Sequence, residues 1–375
     1  MSRPKSSGRF QFGAASVLLA GLVLLMPAWR LGDTSLYILA ALVPCVMFLC
    51  DTVVARMFSL DRMLTALTLW FLAAGIAALA PGGSRAAVDH SMVCGAALIA
   101  LLIGGIMARS LAPSMLTVSC TAFLGFLLLG AGFFPGGQSL PLSGIASALL
   151  LVAFAALFSR RGSLPALLLG IAVLALLLLR GNTGESLVWA LVILLLAFSA
   201  DGRLVVVLPA LAVVSLLFFG AFSLSFAAFP VSSAPAPVLS AGLAGADTLP
   251  EELAALQSDS LFPLLAGHYG LVFSGLTVLL FVPFSLRGSS LAVNARTRFH
   301  ALLAMGATLA LALRALAALL SAFGFLPVSG LCLPFLGRSL PDLCAQLFLT
   351  GLLCGISGRN DADLAEDAHL AMLAK

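Results

Sequence analysis

The sequence predicts an all-α, polytopic integral membrane protein with about twelve transmembrane helices and both termini in the cytoplasm. Three observations lead to this fold class: the composition, the length of the apolar segments and the distribution of positive charge. Hydrophobic residues make up 62% of the 375 residues, and charged residues only 9%. A soluble helical bundle needs polar stripes along its helices, and most segments of this chain lack them.

Apolar segments follow one another along the chain, separated mostly by short polar turns. In hydrocarbon the backbone must satisfy its own N–H and C=O groups, so a run of about 20 apolar residues predicts a helix. The predicted spans are 12–29, 35–50, 63–81, 92–109, 115–134, 143–159, 163–180, 185–199, 204–226, 262–285, 299–323 and 339–357.

The positions of Lys and Arg test this count independently. With the N-terminus inside, fourteen of the nineteen positive residues fall on the cytoplasmic side. Four fall outside and one, Arg314, lies within a span; the outer four are Arg30, Arg85, Arg180 and Arg338. The positive-inside rule predicts this asymmetry. We therefore expect a cytoplasmic N-terminus at 1–11, a transmembrane domain at 12–357 and a cytoplasmic tail at 358–375.

The composition also argues against several other interpretations. No A-x-A-like cleavage site follows the first apolar run, which is therefore interpreted as a retained helix rather than a signal peptide. The net charge of +4 comes without a dense basic run, so no nucleic-acid partner is expected. The seven cysteines lack C-x-x-C spacing and are interpreted as packing residues rather than metal ligands.

One connection, 227–261, is longer than the others, and the topology places it outside. Its acidic residues are Asp247, Glu251, Glu252 and Asp259. Asp259 directly precedes the apolar segment that begins at Leu261, where the dipole of a helix favours an anion. Three interpretations stay open: the loop is a solvated acidic linker, Asp259 caps the helix, or Asp259 is a base facing an outer cavity.

Three ordered segments near the C-terminus resemble the SEDS family, the shape, elongation, division and sporulation proteins typified by FtsW and RodA. The sequence F-L-P-V-S-G-L-C-L-P-F at 325–335 resembles the family's L-L-P-V-T-G-x-x-L-P-F. A-R-T-R-F at 295–299 resembles its A-x-D-R-F, and G-L-L-C-G-I-S at 351–357 matches its closing G-L-L-x-G-I-S. The spacing between the three segments is kept without gaps.

Weaker similarity extends backward to about residue 140. Q-S-D at 257–259 falls where the family has H-T-D, and L-P-E at 249–251 resembles its L-P-E. The turn at 180–186 occupies the place of Q-P-D-L-G-T-A, with only Gly184 identical. Two extra N-terminal helices resemble the twelve-span arrangement of divergent family members.

The resemblance implies a SEDS-like fold and a peptidoglycan glycosyltransferase in the bacterial cytoplasmic (inner) membrane. Such proteins polymerise the undecaprenyl-linked disaccharide lipid II, usually with a class B penicillin-binding protein. Asp259 is then the expected catalytic carboxylate. The expected contacts to lipid II or its diphosphate are Arg338, Arg180, Arg314, Ser329 and Glu251. A divalent cation beside the diphosphate suits this chemistry, and no other cofactor is expected. Arg180 and Arg338 could equally be snorkelling interfacial arginines.

Several polar residues of the family are missing from this chain. The Glu and Lys of the family's P-S-E-L-A-K helix start are replaced by Gly144 and Ser147. The Asp of Q-P-D-L-G-T becomes Asn182, and an Asn in the penultimate helix becomes Ala318. The family's S-Y-G-G-S-S is replaced by G-R-S-L-P-D at 337–342.

Arg314, where the family has Gln, places a charge within a span at a cost of about 2.5–3.5 kcal/mol. It needs a polar cavity or a partner, or it makes a lateral contact with another helix. Three functions fit the sequence: an active glycosyltransferase, a non-catalytic SEDS-fold scaffold in envelope synthesis, and a transporter or flippase of lipid-linked sugars. The missing polar residues favour the second, and an intramembrane arginine favours the third.

Overall fold

The structure, a computed structural model, consists of helices and the turns and loops between them in the part of the chain that it describes. The described residues are 7–54, 56, 60–112, 114–133, 142–160, 163–224, 242–243, 245, 261–326 and 331–373. The α-helices are α1 (Ser7–Leu31), α2 (Thr34–Leu49), α3 (Arg62–Leu79), α4 (Ser84–Ser110), α5 (Met115–Ala131), α6 (Ser143–Arg160), α7 (Ser163–Leu179), α8 (Thr183–Asp201), α9 (Leu204–Leu224), α10 (Phe262–Leu279), α11 (Phe281–Val293), α12 (Arg298–Ala322) and α13 (Leu340–Leu373). A short π-helix, Cys50–Val54, follows α2, and a 3₁₀ turn, Ala80–Gly82, follows α3.

The prediction of a multi-pass helical membrane protein is confirmed. Eight helical segments of the described chain are long and apolar enough to cross a bilayer, with α10 and α11 together forming one of them. Four shorter apolar helices occupy the other predicted spans: Ala15–Leu31, Met115–Ala131, Ser163–Leu179 and Val207–Gly220. Each of the twelve predicted spans therefore coincides with a helix.

Two helices extend beyond the predicted spans. α4 begins at Ser84, eight residues before the start of the predicted span. The apolar pattern did not include its first two turns, because they carry the polar residues Arg85, Asp89 and His90. These residues lower the local hydropathy without preventing a helix. α13 continues to Leu373, past the predicted end at 357, so the described part of the predicted tail extends the last helix.

Side-chain caps fix where several helices begin. The Asp61 carboxylate accepts hydrogen bonds from the backbone N–H groups of Met63 and Leu64 at the start of α3. Ser114 caps α5 through the N–H of Thr117, and Thr297 caps α12. The caps lie at polar turns between apolar segments, where the exposed N–H groups of a first turn need an acceptor.

α3 lies at the centre of the bundle. Sixteen of its eighteen residues are buried, and it packs against α1, α4 and α10. Phe71, halfway along α3, stacks on Phe281 at a centroid distance of 4.2 Å and on Phe335 at 5.5 Å. Because Phe335 belongs to the loop before α13, this stack holds irregular backbone at the depth of the helices. Such backbone is tolerated in a membrane protein where protein covers it, and residues 331–337 are all buried.

The predicted span at 262–285 is not one continuous helix. Gly270 has φ 82° and ψ 170°, which breaks the α-helical backbone in the middle of α10. Segment 242–243 restores the lost hydrogen bonds, since the carbonyl oxygens of Gly242 and Leu243 accept from the N–H groups of Leu271 and Val272. The break therefore brings part of the long connection against the helix that follows it.

Hydrogen bonds and ion pairs distinguish the two ends of the bundle. At one end, called the Arg298 end, Arg298 reaches the carbonyl oxygen of Ala200 and His300 contacts that of Ala108. The other end, called the Arg338 end, holds the starts of α4, α8, α10 and α13. The sequence topology predicts that the Arg338 end faces outward.

Candidate functional site

The chain that leads from the long connection into α10 is fixed at the Arg338 end. The N–H of Leu261 donates to the carbonyl oxygen of Leu336 at 3.0 Å. Leu261 is fully buried, and its side chain, the Phe335 carbonyl and the His90 ring converge on Gly75 of α3. A Cβ at position 75 would lie only 3.2 Å from His90 Nε2. The absence of a side chain on Gly75 thus permits the loop, α4 and the start of α10 to meet.

A cavity of about 440 Å³ opens beside this meeting point. Its polar lining comes from Arg85, Asp89 and His90 of α4 and from Arg338 of the loop. Ligand-binding pockets commonly have volumes of about 300–1,000 Å³ and a few convergent polar groups. Arg338, predicted from the sequence as a diphosphate contact, therefore lines a cavity whose volume is within the usual range of ligand-binding pockets.

The buried charge on Arg314 has two partners. Its Nη1 lies 3.7 Å from Glu185 Oε1 of α8, and its Nη2 lies 3.4 Å from Asp342 Oδ1 of α13. The side chain of Arg314 is only 10% exposed. A charge removed from water is tolerated when it is paired and hydrogen-bonded, so the two carboxylates explain how α12 carries an arginine.

A small enclosed cavity adjoins this ion cluster. About 20 Å³ of it is open to the centre of a water molecule, which is room for about one buried water. The buried polar atoms Glu185 Oε1, Arg314 Nε and Gln346 Nε2 have no hydrogen-bond partner among the described residues. Both donors and acceptors are thus present for a bound water. The space is too small for a sugar or a diphosphate.

Gly144 makes room for the ion cluster on the side of α6. A Cβ at this position would lie 2.9 Å from Asp342 Oδ1. Gly144 stands where the family has a glutamate, and the Asp342 carboxylate of α13 occupies the space next to this position.

Gln346, one turn further along α13, accepts a hydrogen bond from the N–H of Phe335 and so connects this helix to the buried loop. Phe335 has φ 67°, unusual for a residue other than glycine.

The other predicted site residues divide into two groups. Arg180, at the end of α7, packs its guanidinium against Gly132 and lies within electrostatic range of Glu185. It does not line the cavity beside Arg338. Asp259, Glu251 and Ser329 lie outside the described residues.

The sequence did not single out five residues of these two sites: Glu185, Asp342, Gln346, Arg85 and His90. For Glu185 and Asp342, the sequence did contain a signal. An arginine within a span requires opposite charge, and Glu185 and Asp342 are acidic residues in the first turns of their helices.

A third polar cluster lies at the Arg298 end. Asp61 Oδ2 accepts a hydrogen bond from Arg287 Nε at 2.9 Å and another from the Ser357 hydroxyl at 3.1 Å. Asn360 donates to the carbonyl oxygen of Leu291. Ser357 closes the G-L-L-C-G-I-S segment, so this family-like serine joins α13 to the cap of α3. These hydrogen bonds connect α3, α11 and α13 at this end of the bundle.

A metal site is not apparent in the described part of the chain, where no three His, Cys, Asp or Glu side chains cluster in a way that could hold an ion. A divalent cation beside the diphosphate therefore stays a prediction from the resemblance.

Comparison with known proteins gives a family match over part of the chain and a fold. Residues 239–361 match the model of the FtsW/RodA/SpoVE family, described as cell cycle protein. No curated protein matches the sequence. The Thermus thermophilus rod shape determining protein RodA has a similar crystal structure, with a TM-score of 0.57 and 22% identity over 80% of this chain and 96% of that chain.

Two further solved structures agree with this result. A mutant of the same Thermus thermophilus protein gives a TM-score of 0.57 at 21% identity, over 80% of this chain and 97% of that chain. A chain of a peptidoglycan synthase complex, reported for its coordination of polymerization and crosslinking, gives 0.63 at 22% identity, over 80% and 98%. At such identity the structures establish the fold. The sequence match covers residues 239–361, and together with the shared fold it supports membership of the SEDS family of FtsW, RodA and SpoVE.

Proposed function

We propose that the chain is a peptidoglycan glycosyltransferase that polymerises lipid II in the bacterial cytoplasmic membrane, with Asp259 as its catalytic carboxylate. One observation carries the proposal: the hydrogen bond between Leu261 and Leu336 joins the segment after Asp259 to the segment before Arg338. Two residues of extended chain span about 7 Å at most. Covalent connection therefore keeps both Asp259 and Arg338 near this bond.

The reaction needs a base, a path for the leaving group and an accessible acceptor sugar. Asp259 takes the proton of the acceptor hydroxyl as that oxygen forms a bond to the anomeric carbon of the donor. The bond between the anomeric carbon and the diphosphate oxygen breaks, and the diphosphate leaves with the electron pair. Arg338, which lines the cavity, balances the charge that develops on the leaving group.

Partner and membrane follow from the same proposal. One similar structure comes from a complex that couples polymerization to crosslinking. We infer that this chain likewise assembles with a class B penicillin-binding protein. The assembled pair would act at the outer face of the cytoplasmic membrane, where the predicted topology places the cavity.

Replacing Asp259 by Asn tests the catalytic role. Purified D259N protein is expected to lose lipid II polymerisation by at least about 100-fold, since positioned acid–base groups contribute about 10²–10⁴-fold. Polymer formation on labelled lipid II gives the measurement. Asp247→Asn removes a carboxylate from the same connection and serves as the matched control. Full activity of the D259N protein would exclude Asp259 as the base, whatever the activity of the D247N protein.

A non-catalytic scaffold is the second candidate. The replacement of three charged family residues by Gly144, Ser147 and Asn182 favours it. Under this alternative the wild-type protein does not polymerise lipid II even with its penicillin-binding partner, yet it still binds that partner. Transport has less support, because Glu185 and Asp342 pair with the intramembrane arginine that motivated it.

A further inference from the structure

The loop before α13 contains a backbone conformation that its sequence does not favour. Among the described residues, Phe335 is the only one other than glycine with a positive φ, at 67°. A side chain makes this left-handed region unfavourable, so it persists only where the surrounding contacts determine it. Phe335 is fully buried, and its ring packs on the rings of Phe71 and Phe281. These contacts hold the side chain, but the backbone needs a constraint of its own.

Gln346 of α13 provides that constraint. Its Oε1 accepts the hydrogen bond from the Phe335 N–H, and both side chains are almost fully buried. A buried backbone N–H without an acceptor is costly, so this hydrogen bond holds the peptide plane before Phe335 in one orientation. Because the N–H and the ring of Phe335 are both held, the torsion angle φ between them is held as well.

The other end of the Gln346 amide faces the ion cluster of Arg314. Gln346 lines the small enclosed cavity together with Glu185 and Arg314. The unpaired Glu185 Oε1 at this cavity is an acceptor, which suits the amide nitrogen directly or through a water. The reverse orientation would set the amide NH₂ against the Phe335 N–H, a donor against a donor. The ion cluster therefore favours the orientation in which the amide oxygen faces the loop.

The constrained backbone leads directly to the contact on which the proposed reaction depends. The residue after Phe335 is Leu336, whose carbonyl oxygen accepts the N–H of Leu261 at 3.0 Å. In the chain, Asp259 precedes Leu261 by two residues and Arg338 follows Leu336 by two. A change of φ at Phe335 would turn the Leu336 carbonyl away from Leu261. The segments that carry Asp259 and Arg338 would then separate.

We infer that Gln346 is a positioning residue for the polymerisation: by accepting the Phe335 N–H, it directs the Leu336 carbonyl to Leu261 and so holds the segments of Asp259 and Arg338 together. The inference rests on the proposed function, which gives the base and the cation their roles. It also explains why a long polar side chain is buried in the last membrane-spanning helix.

Gln346→Met tests the inference, since methionine fills a similar space but is only a weak acceptor. The purified full-length Q346M protein is expected to polymerise lipid II with kcat lowered at least about tenfold, because a misplacement of about 1 Å can cost about 10²-fold. kcat and kcat/KM should fall together, because no substrate contact is removed. Gln346→Glu keeps an oxygen at the same place and should recover part of the lost rate.

Thr350→Val is the matched control. Thr350 lies one turn beyond Gln346, is fully buried, and donates its hydroxyl to the Gln346 carbonyl oxygen within α13. The T350V protein therefore loses a buried polar group from the same helix but keeps the acceptor for the Phe335 N–H. Its kcat should stay close to that of the wild type, even where its thermal stability is lower.

Hydrogen exchange of the same proteins in lipid nanodiscs gives a readout that does not depend on polymerisation. The N–H groups of Phe335 and Leu261 belong to buried residues and are hydrogen-bonded. In the Q346M protein, the peptides that contain them should exchange at least about tenfold faster, the factor expected for the loss of one buried hydrogen bond. In the T350V protein, both should exchange as in the wild type.

The outcomes for the positioning role and for the proposed function can be told apart. Unchanged exchange at Leu261 in the Q346M protein would overturn the positioning role, as would a Q346E protein as slow as Q346M. Equal losses of kcat in Q346M and T350V would also overturn it. If the wild type forms no polymer while Q346M exchanges faster at Leu261, Gln346 still holds the two segments together and the catalytic proposal fails. If the wild type polymerises lipid II and Q346M has the same kcat, the catalytic proposal stands and the positioning role fails.

Discussion

Arg314 shows what a single residue reveals in a membrane sequence. Because a buried charge in a membrane span is costly, the sequence already indicated that Arg314 needs a partner. Which residues would be the partners did not follow. Glu185 lies far earlier in the chain and Asp342 on another helix, and both belong to first turns, where acidic residues also act as ordinary helix-start charges. Their convergence depends on how α8, α12 and α13 pack.

Replacing Arg314 by Gln is expected to destabilise the protein by about 3–5 kcal/mol, because it removes the cation with which two buried carboxylates pair. The measurement is the loss of monodisperse protein on heating in detergent. Arg298→Gln breaks the pair with Asp201, in which the arginine side chain is 54% exposed. The R298Q change should lower the stability of the protein by less than about 1 kcal/mol. Equal stability of the R314Q and R298Q proteins would contradict the burial of the Arg314 cluster.

At the scale of helices, the most extensive contact in the described chain is between α4 and α13, and glycines permit it. A Cβ at Gly104 would lie 2.4 Å from the carbonyl oxygen of Phe348, and one at Gly355 would lie 2.4 Å from that of Gly105. Small residues four apart let membrane helices approach closely. The G-x-x-x-G spacing at Gly351 and Gly355 was visible in the sequence. Its partner helix was not, because the spacing carries no information about which helix it meets.

Valine at position 104 is expected to lower stability by about 1–3 kcal/mol, because the backbone of α13 cannot move aside without losing its own packing. Gly95 provides a control on the same helix, since a Cβ there meets nothing within 4 Å. The G95V protein should be close to wild type in thermal stability. A G104V protein as stable as G95V would show that α4 and α13 are further apart than described.

At the scale of the whole molecule, the sequence predicted the number and order of the spans because burial in hydrocarbon leaves a strong, local signal. Breaks in helices and buried loops leave a weaker signal in the sequence. The break at Gly270 lies within an uninterrupted apolar run, and hydropathy does not distinguish a broken helix from a continuous one. Phe335 likewise belongs to a short apolar loop, and only its stack on Phe71 shows that this loop enters the bundle. Such features depend on contacts between distant segments.

The orientation of the bundle is a prediction from the charge distribution, and α8 provides a direct test. Asn182 precedes this helix at the predicted outer side, and Arg203 follows it at the predicted cytoplasmic side. In a background without the native cysteines, a membrane-impermeant maleimide applied to intact cells should label Asn182→Cys and leave Arg203→Cys unmodified. Permeabilised cells should show both labelled. The reverse pattern would invert the topology and place the Arg338 cavity on the side opposite to that required for lipid II polymerisation. Because successive spans cross the bilayer in alternating directions, the direction of α8 in this test also tests the orientation that the positive-inside rule predicts for the other spans.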